Sequence, residues 1–118
     1  MMLSLPTSVR IWLATQATDM RKSFDTLAEV VRRQLQADPL SGQLFVFRNK
    51  RADRVKLLYW DEDGFVIIYK RLEEGSFRFP QGDAAGLEIR ASDLHMLLDG
   101  VDLDSVHRQK RYRRPVSA

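Results

Sequence analysis

Cationic side chains are concentrated in the stretch FRNKRADRVKLLYWDEDG, residues 47–64. Its first part carries five cations, and its end carries two aromatic residues and three acids. Cations neutralise phosphates and aromatic rings stack on bases, so this composition is typical of a nucleic-acid-binding surface. A solvated loop without a ligand shows the same pattern. The candidate phosphate contacts are Arg48, Lys50, Arg51, Arg54 and Lys56.

Two other cationic groups are candidates for the same chemistry. Residues 108–118 contain no acid and no periodic pattern of apolar residues, which predicts a flexible basic tail over 107–118. Such a tail either binds an anionic polymer or only keeps the chain soluble. The second group stands at the predicted start of a helix, where cations oppose the helix dipole. Such conflicts are more frequent at functional surfaces. The residues are Arg108, Lys110, Arg111, Arg113 and Arg114 in the tail, and Arg21 and Lys22 at the helix start.

The sequence contains no set of residues typical of an active site. The acids of residues 61–63 are adjacent, but neighbouring side chains in a turn point apart, and an Asp-Gly pair favours a tight hairpin. His95 and His107 lack the paired spacing of metal ligands. The six glycines are dispersed, so no phosphate-binding loop is present. We therefore expect no enzymatic activity, no metal and no cofactor.

Composition restricts the class of protein. A chain of 118 residues with 44% hydrophobic residues can form one core, and we expect a single domain over residues 1–106. The absence of cysteine excludes a disulfide framework and a cysteine nucleophile. No apolar run approaches the length of a membrane helix, and the N-terminus does not resemble a signal peptide. These features predict a soluble, cytoplasmic protein.

Hydrophobic periodicity predicts an α+β fold. Residues 9–13 favour a strand, and residues 20–36 favour one long amphipathic helix capped by Thr18 or Asp19. From Leu44 to Pro80 the period changes to two, which predicts an antiparallel β-meander, four to five strands in all, with candidates LFVFR, RVKLLYW, FVIIYKR and SFRF. DLHMLLDG then favours a short C-terminal helix. Strand 9–13, as an edge strand, is a possible dimer contact.

Alternation sorts the side chains of the meander onto two faces. The face expected to pack under the long helix carries Val55, Leu57, Tyr59, Val66, Ile68 and Lys70, joined by Phe45 and Phe47. The opposite face carries Arg54, Lys56, Leu58, Trp60, Phe65, Ile67, Tyr69 and Arg71. Either this second face is a base-stacking or partner-binding platform built on Trp60, Phe65 and Tyr69, or the C-terminal helix covers it and leaves the cations at its margin.

Several segments together resemble a known family. VRIWLAT, TDMRKSFDTLA, DPLSGQLFVFRNKRADRVKLLYWDEDGF and YKRLEEGSFRFP are similar to the Orf2-like, or TnpB accessory, proteins of the IS-sixty-six type of bacterial insertion sequences. The resemblance runs from about Val9 to about Leu103. It implies a role in transposition beside a separate transposase, with no established catalytic activity. It carries over no mapped binding site.

Two positions depart from the family pattern. Family members often carry glycine at two positions where this chain has Ser23 and Ala52. Because a side chain with a Cβ disfavours the left-handed torsions that glycine adopts, we expect ordinary backbone torsions at both positions in this chain. Taken together, the residues and the resemblance predict a non-catalytic accessory protein that binds DNA through the basic loop and tail, with the element ends as the candidate target. The alternative is an adaptor that binds the transposase of the same element through the aromatic face. Self-association is compatible with either.

Overall fold

The computed structural model describes residue 5 and residues 8–101. The elements are β1 (Ile11–Ala14), α1 (Phe24–Arg33), β2 (Leu44–Arg48), β3 (Arg54–Asp61), β4 (Gly64–Arg71), β5 (Gly86–Ile89) and α2 (Ala91–Leu98). The five strands form one sheet in the order β4-β3-β2-β1-β5. The predicted α+β class is confirmed. Among the described residues, no helix has the length and apolar character required to cross a membrane.

The sheet is mixed, so the prediction of a purely antiparallel meander is wrong in part. Strands β2, β3 and β4 do form an antiparallel meander. However, β1 runs parallel to β2, with α1 in the crossover between them, and β5 pairs antiparallel with β1. Strand β1 therefore lies inside the sheet, and its predicted place at an edge is wrong.

The fourth predicted strand of the meander, SFRF, forms no strand. Its Phe77 is buried in the core and donates its backbone N–H to the carbonyl of Ala52 at 2.7 Å. The alternating residues of this segment thus cover the core instead of extending the sheet. The fifth strand is instead GLEI of β5, whose four residues give too short an alternation to be recognised.

Helix α1 has ten residues and is shorter at both ends than the predicted long helix. Its N-cap is Ser23, whose backbone N–H bonds the Thr26 hydroxyl at 2.8 Å. The predicted caps are wrong, because Asp19 closes a separate turn in which its carbonyl accepts from the N–H of Lys22 at 3.1 Å. Residues 18–22 therefore form a loop before the helix.

Each helix covers the face of the sheet that was predicted for the other helix. Phe45 pairs with Leu58 and Phe47 pairs with Lys56, so both phenylalanines share a face with the basic side of β3, and α1 packs there. Helix α2 packs on the other face against Leu57. The reason is a register shift of one residue. Arg48 pairs with Val55, so six residues, 49–54, separate the paired positions of β2 and β3, where the prediction had five.

Candidate nucleic-acid interface

A basic cleft forms where two loops meet at one end of the sheet. The first loop, residues 17–21, precedes α1, and the second, residues 49–54, joins β2 to β3. The backbone N–H of Thr18 donates to the carbonyl of Arg48 at 2.7 Å and holds the loops together. The cleft has a volume of about 600 Å³. It is lined by Ala17, Thr18, Asp19, Met20, Arg21, Asn49, Lys50, Arg51, Asp53 and Arg54.

The second loop is held in shape by its own hydrogen bonds. The Asn49 side chain accepts from the N–H of Arg54 at 3.0 Å and donates to the Asp53 carboxylate at 2.5 Å. From outside the loop, Leu72 donates its N–H to the Asp53 carbonyl at 2.8 Å. Lys50 and Arg51 remain exposed at the tip of this fixed loop. The backbone is therefore ordered before any ligand arrives, which lowers the entropic cost of binding.

The opposite wall of the cleft carries a local ion pair. The Arg21 guanidinium donates to both carboxylate oxygens of Asp19, at 2.7 to 3.1 Å, and the Arg21 backbone N–H donates to the same carboxylate at 2.9 Å. These hydrogen bonds lower the pKa of Asp19 to about 2. The Arg21 side chain is 92% exposed, so its remaining N–H groups face solvent. Asp19 thus orients the cation at the cleft mouth.

The charge of the cleft is positive despite two acids in its lining. Hydrogen bonding by Asn49 lowers the pKa of Asp53, and so both Asp19 and Asp53 stay ionised near neutral pH. Four cations outnumber these two carboxylates in the lining. A cleft with this charge attracts polyanions. Sequence reasoning did not single out Asn49 and Asp53, although an Asn and an Asp four residues apart in a short loop are a signal of side-chain-to-backbone bonding.

The structure brings only part of the predicted basic set into the cleft. Arg21, Lys50, Arg51 and Arg54 line it, whereas Lys22, Arg48 and Lys56 do not. The Arg48 guanidinium is half-buried, donates to the Thr15 carbonyl at 2.7 Å and lies over the ring of Phe79. It therefore ties β2 to the loop that follows β1.

Lys56 is the clearest departure from the expected solvent-facing cations. The residue is 7% exposed, and its ammonium donates to the carbonyls of Met20 at 2.8 Å and Lys22 at 2.7 Å. It also lies over the ring of Tyr69, 4.6 Å from the centroid. The charge is therefore used to hold the loop before α1 against the sheet, and we leave Lys56 out of the interface.

A smaller basic cavity adjoins the cleft through Arg54. It has a volume of about 160 Å³ and is lined by Arg54, Tyr69 and Arg71. Arg54 and Arg71 lie directly opposite each other on β3 and β4, a like-charge pair that destabilises a sheet. Arg54 donates to the Tyr69 hydroxyl at 3.1 Å, and Arg71 donates to Glu73 at 3.0 Å. The cationic surface thus continues from the cleft along the end of the sheet.

The three aromatic residues of the predicted platform differ in exposure. Trp60 and Phe65 stack edge to face, with ring centroids 5.0 Å apart, and both are partly buried. Phe65 packs against the core under α1. Tyr69 is 46% exposed. The face is thus covered over much of its area by α1, not α2, and Tyr69 is the platform residue most open to a ligand.

Comparison with known proteins identifies the family of the chain. Residues 9–108 match the family described as IS66 Orf2 like protein. The chain belongs to the IS66 Orf2-like family. Membership associates it with insertion sequences of this type, as the resemblance implied.

Two relatives of the IS66 Orf2-like chain come from Sinorhizobium fredii (strain NBRC 101917 / NGR234). One, named uncharacterized protein y4jC, is 39% identical over 107 residues, which cover 91% of this chain and 91% of the relative. The other, named uncharacterized protein y4hO, is 39% identical over 101 residues, which cover 86% of this chain and 88% of the relative. No solved structure matches the chain.

Within this IS66 Orf2-like chain, the backbone at Ala52 differs from the expectation. Ala52 has a φ of +56°, in the left-handed region that favours glycine, so the prediction of an ordinary torsion there is wrong. At Ser23 the φ of −127° is ordinary, as predicted. The hydrogen bonds from Ala52 N–H to the Asn49 carbonyl and from Phe77 to the Ala52 carbonyl impose the strained torsion. The loop keeps its tight shape without glycine.

The rest of the predicted interface lies outside the described residues. This applies to the basic tail with Arg108, Lys110, Arg111, Arg113 and Arg114, and to the domain boundary predicted at residue 106. Among the described residues, no group of three or more His, Asp or Glu side chains is arranged to hold a metal ion.

Proposed function

We propose that this protein is an accessory component of insertion-sequence transposition that binds DNA through the phosphates that enter the basic cleft. The observation that carries the proposal is the convergence of Arg21, Lys50, Arg51 and Arg54 from two separate loops on one open cleft. Three of these residues, Lys50, Arg51 and Arg54, form none of the ion pairs found among the described residues. Their charges are thus available to phosphates.

The binding should be mostly electrostatic. Each phosphate neutralised on duplex DNA contributes about −0.9 to the slope of log affinity against log salt, so four cleft contacts predict a slope of about −3.6. Contacts from the basic tail would make the slope steeper. Because the cleft presents four cationic side chains, we expect phosphate contacts to supply most of the affinity.

The test is a salt titration of binding to a duplex that carries the terminal inverted repeat of the element, with a scrambled duplex beside it. The double variant Lys50→Glu, Arg51→Glu reverses two cleft charges and should weaken binding by about 100-fold at low salt. Its matched control is Arg32→Glu, Arg33→Glu, which makes the same charge change at the exposed end of α1, outside the cleft. Equal losses in the two variants would show a general charge effect and reject the cleft as the site.

The alternative function is an adaptor that contacts the transposase through Trp60, Phe65 and Tyr69. The exposure of the Tyr69 ring favours it. Because Trp60 and Phe65 pack on each other and Phe65 packs against the core under α1, we expect Tyr69 to contribute most to such a contact. Capture of the transposase by the wild-type chain, lost with Tyr69→Ala and retained with Lys50→Glu, Arg51→Glu, would support the adaptor over the DNA-binding function.

A further inference from the structure

The outer edge of β4 has no partner strand among the described residues. Strand β4 pairs only with β3 and stands at the end of the sheet. Asp61 and Gly64 pair directly across a two-residue turn, so the hydrogen-bonded positions of β4 alternate from Gly64. The backbone groups of Phe65, Ile67 and Tyr69 therefore point away from β3. None of these groups bonds another segment within the described chain.

The side chains of β4 are apolar and partly exposed, as in an edge strand that pairs with a partner strand. Phe65, Val66, Ile67 and Ile68 are each partly exposed, whereas Leu57 and other apolar residues of adjacent β3 are fully buried. Exposed edges are normally protected by a charge, a proline or a bulge. The ladder from Arg54 to Asp61 runs without a bulge, and residues 64–69 contain neither a charge nor a proline. The first six residues of this edge, 64–69, thus have a composition suited to strand addition.

The two ends of β4 carry opposite charge. The turn before the strand contains Asp61, Glu62 and Asp63, and the strand ends in Lys70 and Arg71. Arg71 is ion-paired with Glu73 at 3.0 Å, so Lys70 is the cation of this end that forms no ion pair among the described residues. Antiparallel pairing with an identical strand places each acidic turn beside the basic end of the other copy. Parallel pairing would instead place like charges side by side. The charge pattern thus selects one kind of occupant and one orientation.

We propose that β4 pairs antiparallel with β4 of a second copy of this chain and forms a two-fold symmetric dimer with a continuous sheet. Because outward-pointing positions pair with outward-pointing positions, the two-fold axis passes beside a residue, and an axis beside Val66 or Ile67 also sets the acidic turn opposite the basic end. In either register the acidic turn of one copy lies beside Lys70 and Arg71 of the other. This pairing needs no nucleic acid, and it stands independently of the proposed DNA binding.

The first test measures self-association of the full chain by analytical ultracentrifugation over a range of concentrations, without DNA. The acidic-end variant is Glu62→Lys, Asp63→Lys, and the basic-end variant is Lys70→Glu, Arg71→Glu. Each variant alone should dimerise about tenfold more weakly, and an equimolar mixture of the two should form a heterodimer that recovers the affinity. A monomeric wild-type chain at its highest soluble concentration would overturn the proposal, as would a dimer that is insensitive to both variants.

The second test locates the interface in the unmodified protein by amide hydrogen exchange. The outward N–H groups of Phe65, Ile67 and Tyr69 should become protected as concentration rises through the dimer transition. Protection of the same amides in a monomer, independent of concentration, would show that another segment of the same chain occupies the edge and would reject the dimer. Protection that appears only with the transposase present would assign the edge to that partner and would also reject it.

Discussion

Lys50 and Lys56 belong to one cationic run, six positions apart, and have opposite environments. Lys50 lies exposed at the tip of the loop that forms one wall of the cleft. Lys56 is buried, and two backbone carbonyls accept hydrogen bonds from its ammonium. One lysine is available to a ligand, while the other fixes the loop that forms the opposite wall of the same cleft.

The difference shows that the position of a charge in the sequence does not determine its role. Lys56 follows the turn and lies on the face of β3 that α1 covers, so its side chain is directed toward the loop before α1. A buried ammonium requires hydrogen-bond acceptors, and the carbonyls of residues 20 and 22 supply them. Exposed cations and cations that hold the fold together therefore alternate within a few residues of one another.

The largest expected effect is on stability, from Lys56→Met. Methionine keeps the length and apolar stem of lysine and removes the ammonium, which leaves the carbonyls of Met20 and Lys22 without their donor. Hydrogen bonds to charged groups contribute about 1.5–3 kcal/mol each, and partial rehydration reduces the loss, so the free energy of unfolding should fall by about 2–3 kcal/mol. Urea unfolding followed by circular dichroism measures it.

The matched control for this change is Lys50→Met. The same substitution at the exposed loop tip should alter the free energy of unfolding by less than about 0.5 kcal/mol. Similar losses in the two variants would contradict the division between structural and ligand-facing lysines.

The second prediction concerns DNA affinity, for which the two lysine variants should rank in the opposite order from their effects on stability. Lys50→Met should reduce the magnitude of the salt slope by about 0.9, because one phosphate contact is lost, and weaken binding several-fold at low salt. Lys56→Met, measured where it remains folded, should leave the slope unchanged. A reduced slope in Lys56→Met with an unchanged slope in Lys50→Met would reverse the assignment of the two lysines.

Much of the fold was predictable because local pattern determines it. The β2-β3-β4 hairpins follow from alternating residues separated by turn residues, and α1 and α2 follow from three- and four-residue apolar spacing. The assignment of faces was not predictable in this way. It depends on whether five or six residues join the β2 and β3 ladders, and the extra residue transfers Phe45 and Phe47 to the other side of the sheet.

The candidate site shows the same division between local and distant information. The sequence identifies Lys50, Arg51 and Arg54 as neighbours because they are close in the chain. The association of Arg21 with them depends on the parallel β1-β2 pair, which brings the loop after β1 beside the loop after β2. Likewise, no local signal shows that the ammonium of Lys56 reaches a loop 34 to 36 residues away.

A third prediction concerns the backbone of the loop that carries Lys50. Ala52 has a φ of +56°, which is strained for any residue with a Cβ. Ala52→Gly should therefore raise the free energy of unfolding by about 0.5–1 kcal/mol, even though glycine increases the entropy of the unfolded chain. The matched control is Ala17→Gly in the facing loop, where φ is not positive and glycine should be neutral or destabilising. A loss of stability with Ala52→Gly would show that the loop does not keep this torsion in solution.

The smallest expected effect is an electrostatic shift within the loop that Lys56 holds. The hydrogen bonds of Arg21 lower the pKa of Asp19 from 3.8 to about 2, so Arg21→Gln should raise that pKa toward 3.8. Because the folded-state pKa lies below the unfolded value, the pair stabilises the fold above about pH 3.8, and this contribution is lost as pH falls toward 2. Titration of the Asp19 carboxyl carbon by NMR measures the shift.

The control variant is Lys50→Gln, across the cleft. It should leave the Asp19 pKa near that of the wild type, because Arg21, and not the field of the opposite wall, is the main cause of the lowered pKa. An Asp19 pKa that rises equally in both variants would instead indicate that the two walls are coupled through the electrostatics of the cleft.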